Sequence, residues 1–203
     1  DFNPTILQPY WLSSKGLIRE NEAESAKVEV IHKEIVRFEI DDWAKIEMTK
    51  ERCEFKSSKE PYFEPLKDLA VSVFKILRET PIRALGLNHI YDLKMPNEGK
   101  FKELGSFLTP LELWKENLEN PKLLNLEIFE SKRKDGERGN RRIRINPSDQ
   151  KIQFGVVVNV NDHFDLNIEG ERINAVAQLE KHWTESFFQS KNIVESLFTQ
   201  IEL

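Results

Sequence analysis

The stretch YFEPLKDLAVSVFKILRETPIRALGLNHIYDLKM, from Tyr62 to Met95, changes its hydrophobic period halfway along. Leu66, Leu69, Ala70, Val73, Phe74 and Leu77 recur at intervals of three and four, which predicts an α-helix with one apolar stripe over about 62–79. Thr80-Pro81 closes it, because proline pushes the preceding residue out of the α region. From Ile82 the period becomes two. Leu85, Leu87, His89, Tyr91 and Leu93 share one face, and Ile82, Ala84, Gly86 and Ile90 share the other. Apolar residues on both faces predict an interior strand at the centre of a sheet.

Outward from this stretch the chain alternates. Val36, Phe38 and Ile40, then Ala44, Ile46 and Met48, then Cys53 and Phe55 oppose charged neighbours, with turns at Asp41-Asp42 and Thr49–Glu51. This predicts an antiparallel meander with one wet face. A second meander is expected between Leu123 and Ile168, with Asp135-Gly136 as its hairpin turn and Asn161-Asp162 as another turn. A short polar helix is expected over 17–26, and one over 98–104. Another is expected over 109–117, with Thr109, Pro110 and Glu112 forming its capped start. A long helix is expected over 173–201, with Val176, Leu179, Trp183, Phe187, Val194, Leu197 and Phe198 as its stripe. The proline-rich, aromatic segment from Phe2 to Trp11 reads as an ordered arm. The expected fold is a single α+β domain over 1–203, in which two antiparallel β-meanders pack against the helices at 62–79 and 173–201. The echo between Asn88–Leu93 (NHIYDL) and Asn161–Leu166 (NDHFDL) raises a weak duplication of 27–95 and 96–203.

Composition narrows the function classes. With 203 residues and thirteen Phe there is material for a sizeable core, and a net charge of −5 argues against a globally basic surface. One cysteine, Cys53, excludes an internal disulfide and a cysteine-based zinc site, and reads as a small core residue. No run approaches the roughly 20 apolar residues of a membrane helix, and DFNPTILQPYW lacks the regions of a signal peptide, so a cytoplasmic protein is expected. Nucleophile elbows, phosphate-binding glycine loops and local histidine chelates are missing, and no catalytic residue, cofactor or metal is assigned.

Two constellations remain. Asn88, His89, Asp162 and His163, with Asp92 and Asp165 nearby, would form a polar pocket if the echoed motifs met. His89, Asp162 and His163 would then supply an imidazole and carboxylate set of the kind a metal-dependent enzyme uses. The second is the basic tip. Lys132, Arg133, Lys134, Arg138, Arg141, Arg142 and Arg144 face only Asp135 and Glu137, a local +5 that leaves −10 on the rest. Such a ribbon suits a phosphate backbone, an acidic partner, or plain solvation. No aromatic residue interleaves with the arginines along the chain, which leaves base stacking unsupported.

The stretches GLIRENEAESAKVEVIHKEIVRFEIDDW, EPYFEPLKDLAVSVFKILRETPIRALGLNHIYDLK, LTPLELW, INPSDQ and VVVNVNDHF, spread over about 16–164, resemble a family of bacterial proteins of about this length. The resemblance implies one intact domain and no particular reaction; an association with defence or mobile-element genes is its only functional hint. The expected function is a non-catalytic, self-associating interaction module, a homodimer that serves as an accessory or regulatory component and also meets another protein. Nucleic-acid binding by the basic hairpin at 132–144 is the alternative, and a metal-dependent His/Asp enzyme the second.

Overall fold

The computed structural model describes residues 2–148, 152–168 and 170–200. The chain divides into two compact units, residues 1–82 with 176–180 and residues 83–175 with 181–203. Each carries a four-stranded antiparallel sheet, and together with the helices they make an α+β fold. Among the described residues, no helix is long and apolar enough to cross a membrane.

In the first unit, α1 (Pro9–Ser14) and α2 (Glu20–Ser25) precede β1 (Lys27–His32), β2 (Ile35–Ile40), β3 (Ala44–Thr49) and β4 (Cys53–Lys56), and α3 (Phe63–Ile76) follows. The strands lie in chain order. Val36, Phe38, Ile40, Ala44, Ile46 and Met48 form the buried face, as the alternation predicts. Leu66, Leu69 and Val73 of α3 close that core, and Leu7 and Leu12 of the N-terminal arm are fully buried in it. Phe2 meets Phe74 in a tilted ring pair with centroids 6.1 Å apart, and its N–H donates to the Lys50 carbonyl at 2.8 Å. The arm is therefore part of this unit's core. Cys53 packs against the same core, and burial pushes its thiol pKa up.

In the second unit, β5 (Ala84–Lys94) and α4 (Glu98–Leu108) are followed by β6 (Leu126–Glu130), β7 (Gly139–Pro147) and β8 (Gly155–Asp165). The two-residue strands β9 (Asn167–Ile168) and β10 (Glu171–Arg172) form a small ribbon, and α5 (Ala175–Thr199) ends the described chain. The sheet order is β5-β8-β7-β6, every pair antiparallel. Met95, Leu104, Ile145, Val156, Val158, Val160 and Val194 make its core, so α4 and the later part of α5 cover one face.

Several expectations change. β5 lies at the edge of its sheet, not the centre; Ala84, Gly86, Asn88, Ile90, Asp92 and Lys94 are exposed, Ile90 at 63 %. Its second apolar face is simply wet. Asn161-Asp162 is not a turn, because β8 runs on to Asp165 and both side chains find partners across the sheet. The helix expected from Thr109 is a 3-10 helix over Leu111–Trp114. Thr109 instead caps the end of α4, and Pro110 sits at ψ 75°, outside the helical region. α3 ends at Ile76, four residues before Thr80. The expected end of the last helix at Ile201 lies outside the described residues. The echoed hexapeptides lie on adjacent strands of one sheet and meet at a single pair, Asn88 opposite Asn161, from which they run apart.

Candidate functional site

Because successive strand residues point to opposite faces, the second sheet separates the candidate residues into an inner and an outer set. Leu87 pairs with Asp162 and His89 with Val160, which places His89 and Asp162 on the inner face. Asn88 pairs with Asn161 and Gly86 with His163, which places Asn88, Asn161 and His163 on the outer one. The polar pocket read from the sequence is thus split by the sheet. His89, Asp162 and His163 do not converge, and among the described residues no group of three or more His, Cys, Asp or Glu could hold a metal.

On the inner face Asp162 is fully buried. Its Oδ1 accepts from Arg133 Nη1 at 3.0 Å and from Arg141 Nε at 2.6 Å, and its Oδ2 accepts from Ser186 Oγ at 2.5 Å. Arg133 also grips Asp135 through Nε at 3.0 Å and Nη2 at 2.5 Å, and its side chain is 2 % exposed. Burial opposes the charge on Arg133, but hydrogen bonds and charges from Asp135 and Asp162 outweigh it and raise its pKa. The same guanidinium lies 4.2 Å from the Phe164 ring centroid, and His182 stacks on that ring at 4.6 Å. Arg141 completes its contacts with Gln189 and, at 3.5 Å, Glu130.

Helix α5 joins this cluster through polar rungs. His89 Nε2 lies 2.8 Å from Ser186 Oγ, and Tyr91 Oη lies 2.7 Å from Ser190 Oγ. Ser186 commits its proton to Asp162, so His89 Nε2 carries the hydrogen of its bond; Ser190 donates to the Phe187 carbonyl, so Tyr91 is the donor to Ser190. Two strand residues advance about 6.6 Å and four helix residues about 6 Å, so these rungs match when α5 runs in the same sense as β5. Burial lowers the His89 pKa against the pull of the Asp162 charge. Burial also lowers that of His182, helped by Lys181 and Arg133 and opposed by Glu137 and Asp135. His182 Nε2 is buried without a hydrogen bond, 3.4 Å from Glu137 Oε1.

Ser186 is 3 % exposed and points its proton into a carboxylate that two arginines also hold.

The outer face differs. Its cross-strand rows are Asn88, Asn161, Arg142, Phe129 and then Ile90, Asn159, Arg144, Glu127, reading from β5 to β6. Asn161 Nδ2 donates to Asn88 Oδ1 at 2.9 Å. Glu127 forms an ion pair with Arg142, whose Nε lies 3.0 Å from Oε1, and accepts from Arg144 Nη2 at 3.2 Å, with both arginine side chains about half exposed. Phe129 is 55 % exposed, with the Arg142 guanidinium 5.8 Å from its ring centroid. Lys132, Lys134 and Arg138 are exposed in the hairpin loop between β6 and β7. Of the outward acids, Asp92 and Asp165 lie on the β5 and β8 side and Glu127 on β6, so β6, β7 and their hairpin loop keep a net basic character.

The seven basic residues of the hairpin are therefore divided: Arg133 and Arg141 serve the inner cluster, and five remain outward. Sequence reasoning missed Ser186, Ser190 and His182, although with Val194 they recur every four residues along α5. It also missed Phe129, which is remote from Arg142 in sequence but directly opposite in register. Comparison with known protein families, curated protein sequences and solved structures finds no match.

Removing Asp162 leaves the buried Arg133 and the part-buried Arg141 short of a counter-charge. Asp162→Ala is expected to cost about 3–5 kcal/mol in a urea titration, whereas Arg142→Ala is expected to change the midpoint little; equal midpoints for wild type and Asp162→Ala would refute the clamp. The depressed His89 and His182 values mean that the unfolded chain binds more protons near pH 6. Their contribution is complete above about pH 6.5 and is lost as pH falls below it. Melting at pH 7.5 and 5.5 should show a loss in acid that shrinks in His89→Gln/His182→Gln. An unchanged difference in the double variant contradicts this assignment.

Proposed function

We propose that this chain is a non-catalytic binding module that engages a nucleic-acid backbone through the outer face of the second sheet and the β6–β7 hairpin. The observation that carries the reading is the sorting of basic residues. Lys132, Lys134, Arg138, Arg142 and Arg144 stay outward on a chain of net charge −5, while the two arginines that could have joined them are turned inward onto Asp162. A local cluster on an acidic chain attracts polyanions by neutralising phosphates and releasing counterions. The rest of the surface repels them, which confines binding to this face. The setting in this reading is the bacterial cytoplasm, where the protein acts as an accessory or regulatory component.

Binding of a fluorescent 20-nucleotide strand should weaken steeply with salt. Arg142→Ala/Arg144→Ala should lower the slope of log affinity against log salt by about 1.4, since each phosphate contact on a single strand contributes about 0.7. Absence of binding at low salt, or an unchanged slope, removes the reading.

A second reading, self-association, is favoured by β5. No strand pairs with its far edge among the described residues, and Ile90 is an exposed apolar residue on that strand. Two copies pairing β5 with β5 would make one continuous sheet. Sedimentation equilibrium should show a concentration-dependent dimer for wild type and a monomer for Ile90→Lys; a wild-type monomer at all concentrations rules it out.

A further inference from the structure

Building on the nucleic-acid reading, we infer that the ligand is a single strand whose bases stack on Phe129 while its phosphates meet Arg142, Arg144 and the hairpin cations. Along the chain the arginines have no aromatic neighbour, but the register places Phe129 directly opposite Arg142. The two make one composite surface: a half-exposed ring with a guanidinium over it at 5.8 Å from its centroid, and a second guanidinium two residues further along the same strand face. A base offers a flat π-face, and an exposed phenylalanine ring flanked by cations takes it without regard to base identity. Double-stranded nucleic acid keeps its bases stacked within the helix and offers only grooves and phosphates to a broad sheet. A single strand can splay its bases onto one.

The row continuing from this pair strengthens the choice. Arg142 leads across the sheet to Asn161 and Asn88, which lie on the same outward face and are hydrogen-bonded to each other at 2.9 Å. Three strand spacings of about 4.8 Å span roughly 14 Å from β5 to β6. That width accommodates two or three consecutive nucleotides, with amide groups beside those that follow the stacked base. Asp92 and Asp165 disfavour a phosphate over β5 and β8, whereas over β6 and β7 the single acid Glu127 is shared by two arginines and the hairpin cations lie beyond it, so the backbone is expected to track there.

The test measures anisotropy of a labelled single strand and of the duplex of equal length at low salt, with wild type, Phe129→Leu, Phe129→Trp and Arg142→Ala/Arg144→Ala. Phe129→Leu keeps an apolar side chain but removes the π-system. It should weaken single-strand binding roughly 5- to 150-fold, leaving the salt slope and the duplex affinity unchanged. Phe129→Trp should retain or tighten binding, which separates lost stacking from lost folding. If duplex binds as tightly as single strand, or if Phe129→Leu binds like wild type while the arginine variant still loses salt dependence, the single-strand inference fails and the backbone reading stands. If neither nucleic acid binds wild type, both fail together.

Discussion

A buried carboxylate on an interior strand must be matched by charge and hydrogen bonds, and the second unit is built around that requirement at Asp162. The two oxygens draw in Arg133 from the hairpin loop, Arg141 from β7 and Ser186 from α5, so one side chain joins three parts of the chain. Desolvating three ionised groups costs several kcal/mol each, and their mutual attraction roughly offsets this. The cluster's main effect is therefore on which arrangement forms. A hairpin whose loop failed to fold back would leave Asp162 with an uncompensated charge.

The backbone allows that return at one narrow place. Gly139 has φ +134°, and a Cβ there would sit 2.0 Å from the His163 carbonyl oxygen, so only glycine lets the hairpin loop meet β8 this closely. Just before it, the Arg138 carbonyl accepts from the Asp165 N–H at 3.1 Å. The loop is thereby fastened along β8, within reach of Asp162 for Arg133. On the opposite strand the rungs from His89 and Tyr91 to Ser186 and Ser190 prevent α5 from sliding. A one-turn shift would break both rungs and the Ser186 bond to Asp162. Small serine side chains also let the helix approach closely while supplying polar partners to half-buried His89 and Tyr91.

Much of the fold was legible because the relevant signals are local. The alternation in β2 and β3 and the stripe on α3 each express one element burying one face, and the structure reproduces both. What was not legible depends on pairing between distant segments. Asn161-Asp162 carries turn chemistry in sequence, but Asn88, Arg133, Arg141 and Ser186 satisfy these side chains within a strand. The apolar outward residues of β5 suggested an interior strand, yet sheet order is set by which strand lies alongside, and nothing lies beyond β5 among the described residues. The basic hairpin showed its total charge clearly. It could not show that two of its arginines answer an acid some twenty to thirty residues onward.

The same constraint sets the outer face. Strand residues alternate, so once Asp162 points inward, Asn161 and His163 must point outward. Antiparallel registry then carries that choice across β7 and β6: Arg141 inward obliges Arg142 outward, and Arg142 stands opposite Phe129. A slip of one residue in β7 would bring Arg142 under the helix and place Ile143 in water. It would also separate the exposed guanidinium from the ring. The composite of Phe129, Arg142 and Arg144 therefore persists because a different charge, on the other side of the sheet, holds the register. An acid that touches no ligand determines which cations are left to touch one.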